Sequence, residues 1–308
     1  EFQVQKINLE FISANPTGPL TMANGRGGFL GDVLGNVFEA VGHEATREYY
    51  INDAGVQVQR LGESVCASLG MTPKNEDQYQ GAYVEELAQK FRGQIESINR
   101  DDDGDKGLSP QYFERVGQLI AAELLKQIKR STKNVSITFD VWFSENKNLR
   151  KKKALDKVLQ LLRERGMVSE RDGAVWLKAQ AAGTAAQMSE DQDRVLVKSS
   201  GEPTYFLADL AYHYDKFVVR GFERCIDIWG ADHHGYVARL KSGVAALGID
   251  TSRLQIVLIQ LVRLTRNGEE VRMSKRKGEF ITLDDLISEL GGGKPAKDVA
   301  RFFFLLYA

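Results

Sequence analysis

The chain has 308 residues, which is enough for one large or two ordinary domains. Hydrophobic residues make up 43% and charged residues 27%, as is typical of a globular protein with a real core. Because 41 Lys and Arg balance 42 Asp and Glu, the net charge of −1 provides no global field for a nucleic acid, and an RNA partner would need local basic patches. Two isolated cysteines and no membrane-length apolar run predict a cytoplasmic protein without a membrane partner.

The first 70 residues predict a strand, a loop, a helix, a second strand and a second helix. Residues 6–13 alternate apolar and polar side chains, which indicates a strand. A loop with two prolines leads to Asn24, which is suited to begin a helix that Gly42 ends. A second strand over 44–50 and a helix over 54–69 follow.

The character of the sequence changes between residue 72 and about residue 192, and we predict an inserted α+β subdomain there. Its predicted parts are an amphipathic helix over 112–129, a strand over 136–143 and a strongly basic helix over 148–165.

Strands and helices alternate again after the insertion. Apolar segments at 194–197, 225–229 and 255–264 are separated by helical patterns at 204–216 and 237–247. This alternation predicts an α/β fold, a Rossmann-like doubly wound parallel sheet with helices on both faces.

Two segments near opposite ends of the sequence are suited to bind phosphate. The first, ending in Thr21-Met22-Ala23-Asn24, enters a glycine-rich helix whose free N–H groups and partial positive charge favour anions. The second, Arg272-Met273-Ser274-Lys275-Arg276-Lys277, is cationic. Basic runs are usually solvated surface, but the apolar segments on both sides of this one favour a functional loop. We therefore predict one nucleotide site built from both ends.

A dinucleotide-binding interpretation of the glycines at 25–31 is weaker. In dehydrogenases the glycines follow the strand directly, whereas here eleven residues intervene. Gly27 and Gly31 are also explained by close packing of the helix on the sheet.

The sequence resembles class I aminoacyl-tRNA synthetases, and several segments resemble the bacterial arginyl-tRNA synthetases. Arg272-Met273-Ser274-Lys275 matches the Lys-Met-Ser-Lys signature with Arg in first place, while Thr21-Met22-Ala23-Asn24 replaces the family's His-x-Gly-His. The other similar segments are 13–20, 47–55, 139–145, 204–209 and 229–235. The similarity extends over nearly the whole chain.

The resemblance implies the residues that handle ATP. Lys275 and Arg272 would meet the charge that develops on pyrophosphate, because cations that act mainly in the transition state raise the rate. Thr21 would donate through its hydroxyl and Asn24 through its amide, in place of the two histidines. The other ATP-binding candidates are Gly18, Pro19, Ala23, Gly25, Gly230, Asp232, Met273 and Ser274, with Gly230 and Asp232 suited to the ribose.

Four further residues are candidates for binding arginine. Tyr205 and Asp209 lie four apart at the start of a predicted helix and therefore share a face. The resemblance implies that they bind the guanidinium, with Glu145 as a second carboxylate and Asn15 at the main-chain end. The alternatives are a packed Tyr and a dipole-favoured Asp at a helix start, and a surface Glu. No metal site is predicted at His233 and His234, and Mg²⁺ is expected only with ATP.

The resemblance implies that L-arginine, ATP and tRNA(Arg) are the substrates of a monomeric arginine--tRNA ligase. The alternative is a catalytically impaired paralogue that binds tRNA or the amino acid. We expect a fragment, weakly active or inactive by itself, with a catalytic domain over 1–265 and the signature loop and a truncated helical domain over 266–308. Basic residues at 150–165 and 275–277 are candidate contacts to the acceptor stem, or a solvated face.

Overall fold

The computed structural model describes residues 3–98, 108–178, 194–260, 262, 264–266, 269–271 and 280–306. They form two compact units, each assembled from separated parts of the chain. Unit 1 contains Glu1–Ile12, Gly31–Tyr50 and Phe139–Gln260. Unit 2 contains Ser13–Leu30, Ile51–Thr138 and Leu261–Ala308.

The described part of unit 1 contains a five-stranded sheet with the strand order β3-β2-β1-β7-β8. Its strands are β1 Lys6–Glu10, β2 Glu44–Ile51, β3 Val141–Ser144, β7 Arg224–Gly230 and β8 Leu254–Ile259. β1 pairs in parallel with β2 and β7, and β7 pairs in parallel with β8. The predicted Rossmann-like parallel sheet is therefore confirmed.

Three helices of unit 1 contribute to a shared apolar core. They are α5 Ala154–Glu164, α6 Tyr205–Tyr214 and α7 His234–Ala246. Leu162, Leu210 and Val244, one from each helix, are each fully buried in this cluster. Burying such side chains is the main stabilising contribution, at about 1.5–3 kcal/mol for each.

A small antiparallel sheet also belongs to unit 1. It contains β4 Val168–Arg171, β5 Ala174–Leu177 and β6 Val195–Val197, in the order β4-β5-β6. The sequence placed 194–197 in the parallel sheet, which is wrong, because β6 pairs antiparallel with β5. A three-residue apolar strand carries no periodicity that distinguishes the two kinds of sheet.

Unit 2 is mainly helical in its described part. It contains α2 Val56–Ser68, α3 Ala82–Ser97, α4 Pro110–Asn134, α8 Leu283–Glu289, α9 Gly293–Leu306 and the hairpin of β9 Leu264–Arg266 and β10 Glu269–Val271. Gly62 and Gly117 allow close contact of α2 and α4. A Cβ on Gly62 would lie 1.9 Å from the Phe113 carbonyl oxygen, and one on Gly117 would lie 1.9 Å from that of Val58.

Helix α1, Asn24–Ala40, begins in unit 2 and ends in unit 1. A Cβ on Gly31 would lie 2.2 Å from the ring of Phe11. Close packing of helix on sheet therefore explains Gly31, as one of the two sequence-based interpretations predicted.

The predicted basic helix over 148–165 is interrupted. Asn146–Arg150 forms a π-helical turn, Lys153 has a φ of 54°, and α5 begins only at Ala154. The predicted strand over 136–143 is also shorter, because Ser136 has a φ of 58° and Ile137 donates back to the Thr132 carbonyl at the end of α4.

The predicted insertion is divided between the units. Its described residues up to Thr138 belong to unit 2, and those from Phe139 belong to unit 1. The predicted domain boundaries stay a proposal. None of the described helices is long and apolar enough to cross a membrane.

Candidate active site

Asp209 lies at the centre of the candidate residues in unit 1. Thr204 begins α6 by accepting from the backbone N–H of Leu207, which places Tyr205 in the first turn and Asp209 one turn later. Tyr205 is 49% exposed, and Asp209 is half-buried. Loss of water raises the pKa of the Asp209 carboxyl to about 6, and the charges of Glu10 and Glu145 add to this effect. The structure therefore places both predicted residues on one short helix.

Glu145 is fully buried, so the interpretation as a surface carboxylate is wrong. One carboxylate oxygen lies 2.7 Å from Nε of Arg150, and the other accepts from the Tyr50 hydroxyl at 2.8 Å. Glu145 already has a cation in this structure. Arg150 therefore forms an ion pair within the chain, whereas Lys151, Lys152 and Lys153 are exposed.

A buried ionic cluster lies beneath the carboxyl ends of β1 and β7. Lys216 is fully buried, and its ammonium donates to Glu10 at 2.6 Å and to Asp227 at 2.8 Å. His213 lies between Asp227, at 2.9 Å, and the Asp209 carbonyl, at 2.8 Å. Burial alone would raise the pKa of Asp227, but Lys216 and His213 outweigh it and hold that pKa at about 2.

Gly230 and Asp232 lie at the carboxyl end of β7. Gly230 ends the strand, and Asp232 is exposed in the short turn Ala231–His233. A Cβ on Gly230 would lie 2.4 Å from Oδ1 of Asp232, so these two residues pack as a pair. His233 lies 3.2 Å from the same carboxylate. The described residues contain no group of three side chains suited to hold a metal.

In unit 2, Thr21 and Asn24 bind each other. Oδ1 of Asn24 accepts from the backbone N–H of Thr21 at 2.9 Å and from its hydroxyl at 3.0 Å. Since a backbone N–H can only donate, the amide oxygen must be the atom that faces Thr21. The hydroxyl proton of Thr21 is therefore directed to Asn24 and not outward as predicted. Within the described residues the NH₂ group of Asn24 makes no hydrogen bond, which leaves both of its donors for a ligand.

The segment that follows the signature loop is joined to the Thr21 loop. Met22 donates to the Ile281 carbonyl at 2.9 Å, and Leu283 donates to the Leu20 carbonyl at 3.0 Å. Thr21 and Thr282 thus form an antiparallel bridge. Arg272, Met273, Ser274 and Lys275 lie outside the described residues. Five residues lie between Lys275 and Ile281 in the sequence, so the two are six residue steps apart, at most about 20 Å.

The other predicted residues of this loop are half-buried or buried. Asn15 donates to Gln57 at 2.8 Å, and Gln57 also accepts from the Tyr79 hydroxyl at 3.3 Å. A Cβ on Gly18 would contact the Tyr83 ring at 3.5 Å, and one on Gly25 would lie 3.1 Å from Phe304. Pro19 and Ala23 are half-buried.

A cavity of about 290 Å³ lies in unit 2, between α2 and the segment before α3. It is lined by residues such as Ser64, Lys74, Tyr79 and Glu85 and by none of the predicted site residues. It is therefore separate from the predicted chemistry.

Sequence reasoning did not identify Glu10, Tyr50 or Tyr236 in the carboxylate group of unit 1. Glu10 is one polar residue in an alternating strand, and its partner Lys216 is 206 residues away. Two signals were available, since Tyr50 lies within the segment 47–55 selected by resemblance and Tyr236 directly follows the segment 229–235.

The parallel sheet with flanking helices defines a Rossmann-like α/β protein, and its carboxylates lie where open sheets of this type bind ligands. The family model for tRNA synthetases class I (R), catalytic domain, matches residues 2–297. The chain belongs to this family of class I synthetases.

Curated relatives and solved structures agree with this assignment. The arginine--tRNA ligase of Acetivibrio thermocellus is 45% identical and that of Carboxydothermus hydrogenoformans is 44% identical, over 97% and 98% of this chain. The chain spans about half the length of these relatives, 51% and 52%. A Campylobacter jejuni structure described as an arginyl-tRNA synthetase has a TM-score of 0.81 at 33% identity, covering 99% of this chain and 64% of that one. Methionyl-tRNA synthetase of Mycobacterium tuberculosis, with a TM-score of 0.60 at 11% identity over 98% of this chain and 64% of that one, shares the fold.

Proposed function

We propose that the chain is the catalytic part of an arginine--tRNA ligase. It activates L-arginine with ATP to arginyl-adenylate and then transfers the arginine to tRNA(Arg). The observation that supports arginine as the substrate is the carboxylate of Asp209. It accepts a hydrogen bond from the neutral hydroxyl of Tyr236, and no Lys or Arg of the described residues pairs with it. A half-buried carboxylate without such a partner favours a cationic ligand, and a guanidinium suits it best.

The proposed chemistry joins a carboxylate oxygen of arginine to the α-phosphorus of ATP and releases pyrophosphate. Negative charge on the leaving pyrophosphate would be met by Lys275, Arg272 and the Mg²⁺ that arrives with ATP. The NH₂ group of Asn24 would donate to a phosphate oxygen beside the free N–H groups at the start of α1. The bridge between Thr21 and Thr282 supports this proposal, since it brings the end of the signature segment to the Thr21 loop.

The remaining predicted residues would bind the rest of the two substrates. Gly230 and Asp232 would hold the ribose, and Asn15 the main-chain end of arginine. Tyr205, exposed in the first turn of α6, would cover the side chain that Asp209 binds. The other proposed ATP contacts are Gly18, Pro19, Ala23, Gly25, Met273 and Ser274. We further propose that the protein acts in the cytoplasm as a monomer.

Pyrophosphate exchange tests this function directly. The chain is incubated with ATP, Mg²⁺, L-arginine and tRNA(Arg), and exchange is compared with L-citrulline, a neutral analogue of the same shape. We expect exchange with arginine and almost none with citrulline, because the citrulline urea group cannot form an ion pair. Asp209→Asn is the matched variant and should lose most of the discrimination. No exchange at saturating substrates, or equal exchange with both amino acids, would contradict the proposal.

A further inference from the structure

Tyr236 has a ring that is held from several sides. It lies in the first turn of α7, 5.9 Å from the ring of Trp229 and 6.3 Å from that of Phe206, measured between centroids. The guanidinium of Arg239 lies 5.4 Å from its centroid. Aromatic contacts of this kind fix a ring more narrowly than burial alone. The hydroxyl of Tyr236 is thus placed by the packing of its ring.

This hydroxyl binds one oxygen of Asp209. It donates to Oδ2 at 2.5 Å. Burial and the nearby Asp209 charge raise the pKa of Tyr236, so it remains a donor at every ordinary pH. The hydrogen bond occupies Oδ2, while Oδ1 accepts none from the part of the chain that the structure describes and is left for a ligand.

We infer that Tyr236 is a positioning residue for the cation subsite, which fixes the rotation of the Asp209 carboxylate and keeps it ionised for a guanidinium. This inference rests on the proposed function. It adds a residue from a second helix, α7, to the substrate-binding group on α6.

The surroundings explain why Asp209 needs a donor to remain charged. Glu10 at the end of β1 and Glu145 after β3 both disfavour its charge, and so does loss of water. Tyr50 on β2 donates to Glu145. His213 on α6 and Tyr236 on α7 lower the pKa of Asp209, and Tyr236 lowers it more than His213 does.

The test is the pH profile of arginine binding to the Tyr236→Phe variant, measured by calorimetry between pH 5 and pH 9. Phe keeps the ring contacts and removes only the hydroxyl. A hydrogen bond to a charged group corresponds to roughly one to two pH units, so the pKa of Asp209 should rise by about that amount. Affinity relative to the parent chain should then be about two- to tenfold lower at pH 7 and recover near pH 9.

A merely structural role predicts a different result. It would weaken binding equally at every pH, and this outcome would overturn the inference. Tyr214→Phe, at a half-buried tyrosine on α6, the helix that carries Asp209, is the matched control and should leave the profile unchanged. In the background of Asp209→Asn, removal of the Tyr236 hydroxyl should have no further effect, and an additive loss would also overturn the inference.

Carbon NMR titration of the Asp209 carboxyl, without any ligand, separates the two proposals. If the parent chain binds no arginine at any pH, the proposed function fails. The titration then still decides the role of Tyr236. An unchanged Asp209 pKa in Tyr236→Phe would overturn the positioning role.

Discussion

Lys216 is a fully buried cation of unit 1. Its ammonium has no exposed surface and joins two carboxylates, Glu10 and Asp227, from neighbouring strands. Asp227 is fully buried and the Glu10 side chain is only 11% exposed, so solvent is a poor substitute partner for these carboxylates. The cluster therefore fixes the turn after α6 to the sheet.

We expect Lys216→Met to lower the free energy of unfolding by about 3–5 kcal/mol at pH 7, since it leaves two buried carboxylates without their cation. Urea unfolding measures this loss. The loss should shrink as pH falls, because protonation then removes the stranded charge. Lys90→Met is the control: Lys90 is 59% exposed in its pair with Glu123, and removing it should cost less than about 1 kcal/mol. Equal losses in both variants would contradict the argument.

Asn24 provides a second test at this scale. Asn24→Asp keeps an oxygen for the two bonds from Thr21 but removes both N–H donors and adds a negative charge. Pyrophosphate exchange should fall about 10²–10³-fold, because removing one positioned donor costs roughly 3–4 kcal/mol. Thr21→Ser keeps the hydroxyl and should stay near the parent rate. An Asn24→Asp variant that exchanges like the parent would argue against phosphate contact by this amide.

Individual contacts were predictable only where a local pattern existed. The Thr21 loop and the pair Tyr205 and Asp209 were visible in sequence, because each lies within a few residues of a helix start. The direction of the Thr21 hydroxyl was not, since it depends on the rotation of one amide. Glu10 and Lys216 gave no signal because buried ion pairs join distant parts of the chain.

Helices α2 and α4 show how glycine sets the distance between elements. Gly62 faces the backbone of α4 with no room for a methyl group. Gly93 in α3 is the opposite case, since a Cβ there would have no heavy atom within 4 Å among its neighbours. The two glycines therefore have opposite stability consequences.

We expect Gly62→Ala to destabilise the chain by about 1–3 kcal/mol or more, because the helices must separate. Gly93→Ala should stabilise it by about 0.5–1 kcal/mol, since alanine is the better helix former. Thermal unfolding of both variants shows whether each substitution stabilises or destabilises the chain. Destabilisation of similar size in both would mean that helix contact does not explain Gly62.

The break at the start of α5 shows the limit of periodicity for elements. Hydrophobic spacing over 148–165 is continuous, but Arg150 binds Glu145 and Lys153 adopts a positive φ. Both features are local: Glu145 lies five residues before Arg150, and the Lys153 N–H donates to the Arg150 carbonyl at 3.0 Å. Hydrophobic spacing does not record them, because they involve polar and backbone groups. The helices α2 and α4 and the parallel strands were predictable, because they follow from uninterrupted apolar spacing.

Each of the two units is assembled from separated segments of the chain. The central strand β1 comes from the first segment of unit 1, and its neighbour β7 comes from the last. Residues 139–260 therefore contain both edge strands, β3 and β8, together with β7, but lack β1 and β2.

We expect a peptide of residues 139–260 to lack a cooperative unfolding transition, because β7 then loses its partner β1 along one edge and β3 loses its partner β2. Adding residues 1–50 as a second peptide should restore near-ultraviolet circular dichroism. The same addition with Leu9→Asp, which puts a charge at a fully buried position of β1, should not. A sharp transition in 139–260 alone would refute this view of the sheet.

The two-residue bridge between Thr21 and Thr282 has a mechanical consequence. Backbone hydrogen bonds join the segments around Thr21 and Thr282, so a displacement of one segment also displaces the other. The Asn24 amide and the segment that follows the signature loop are therefore expected to move together and not independently.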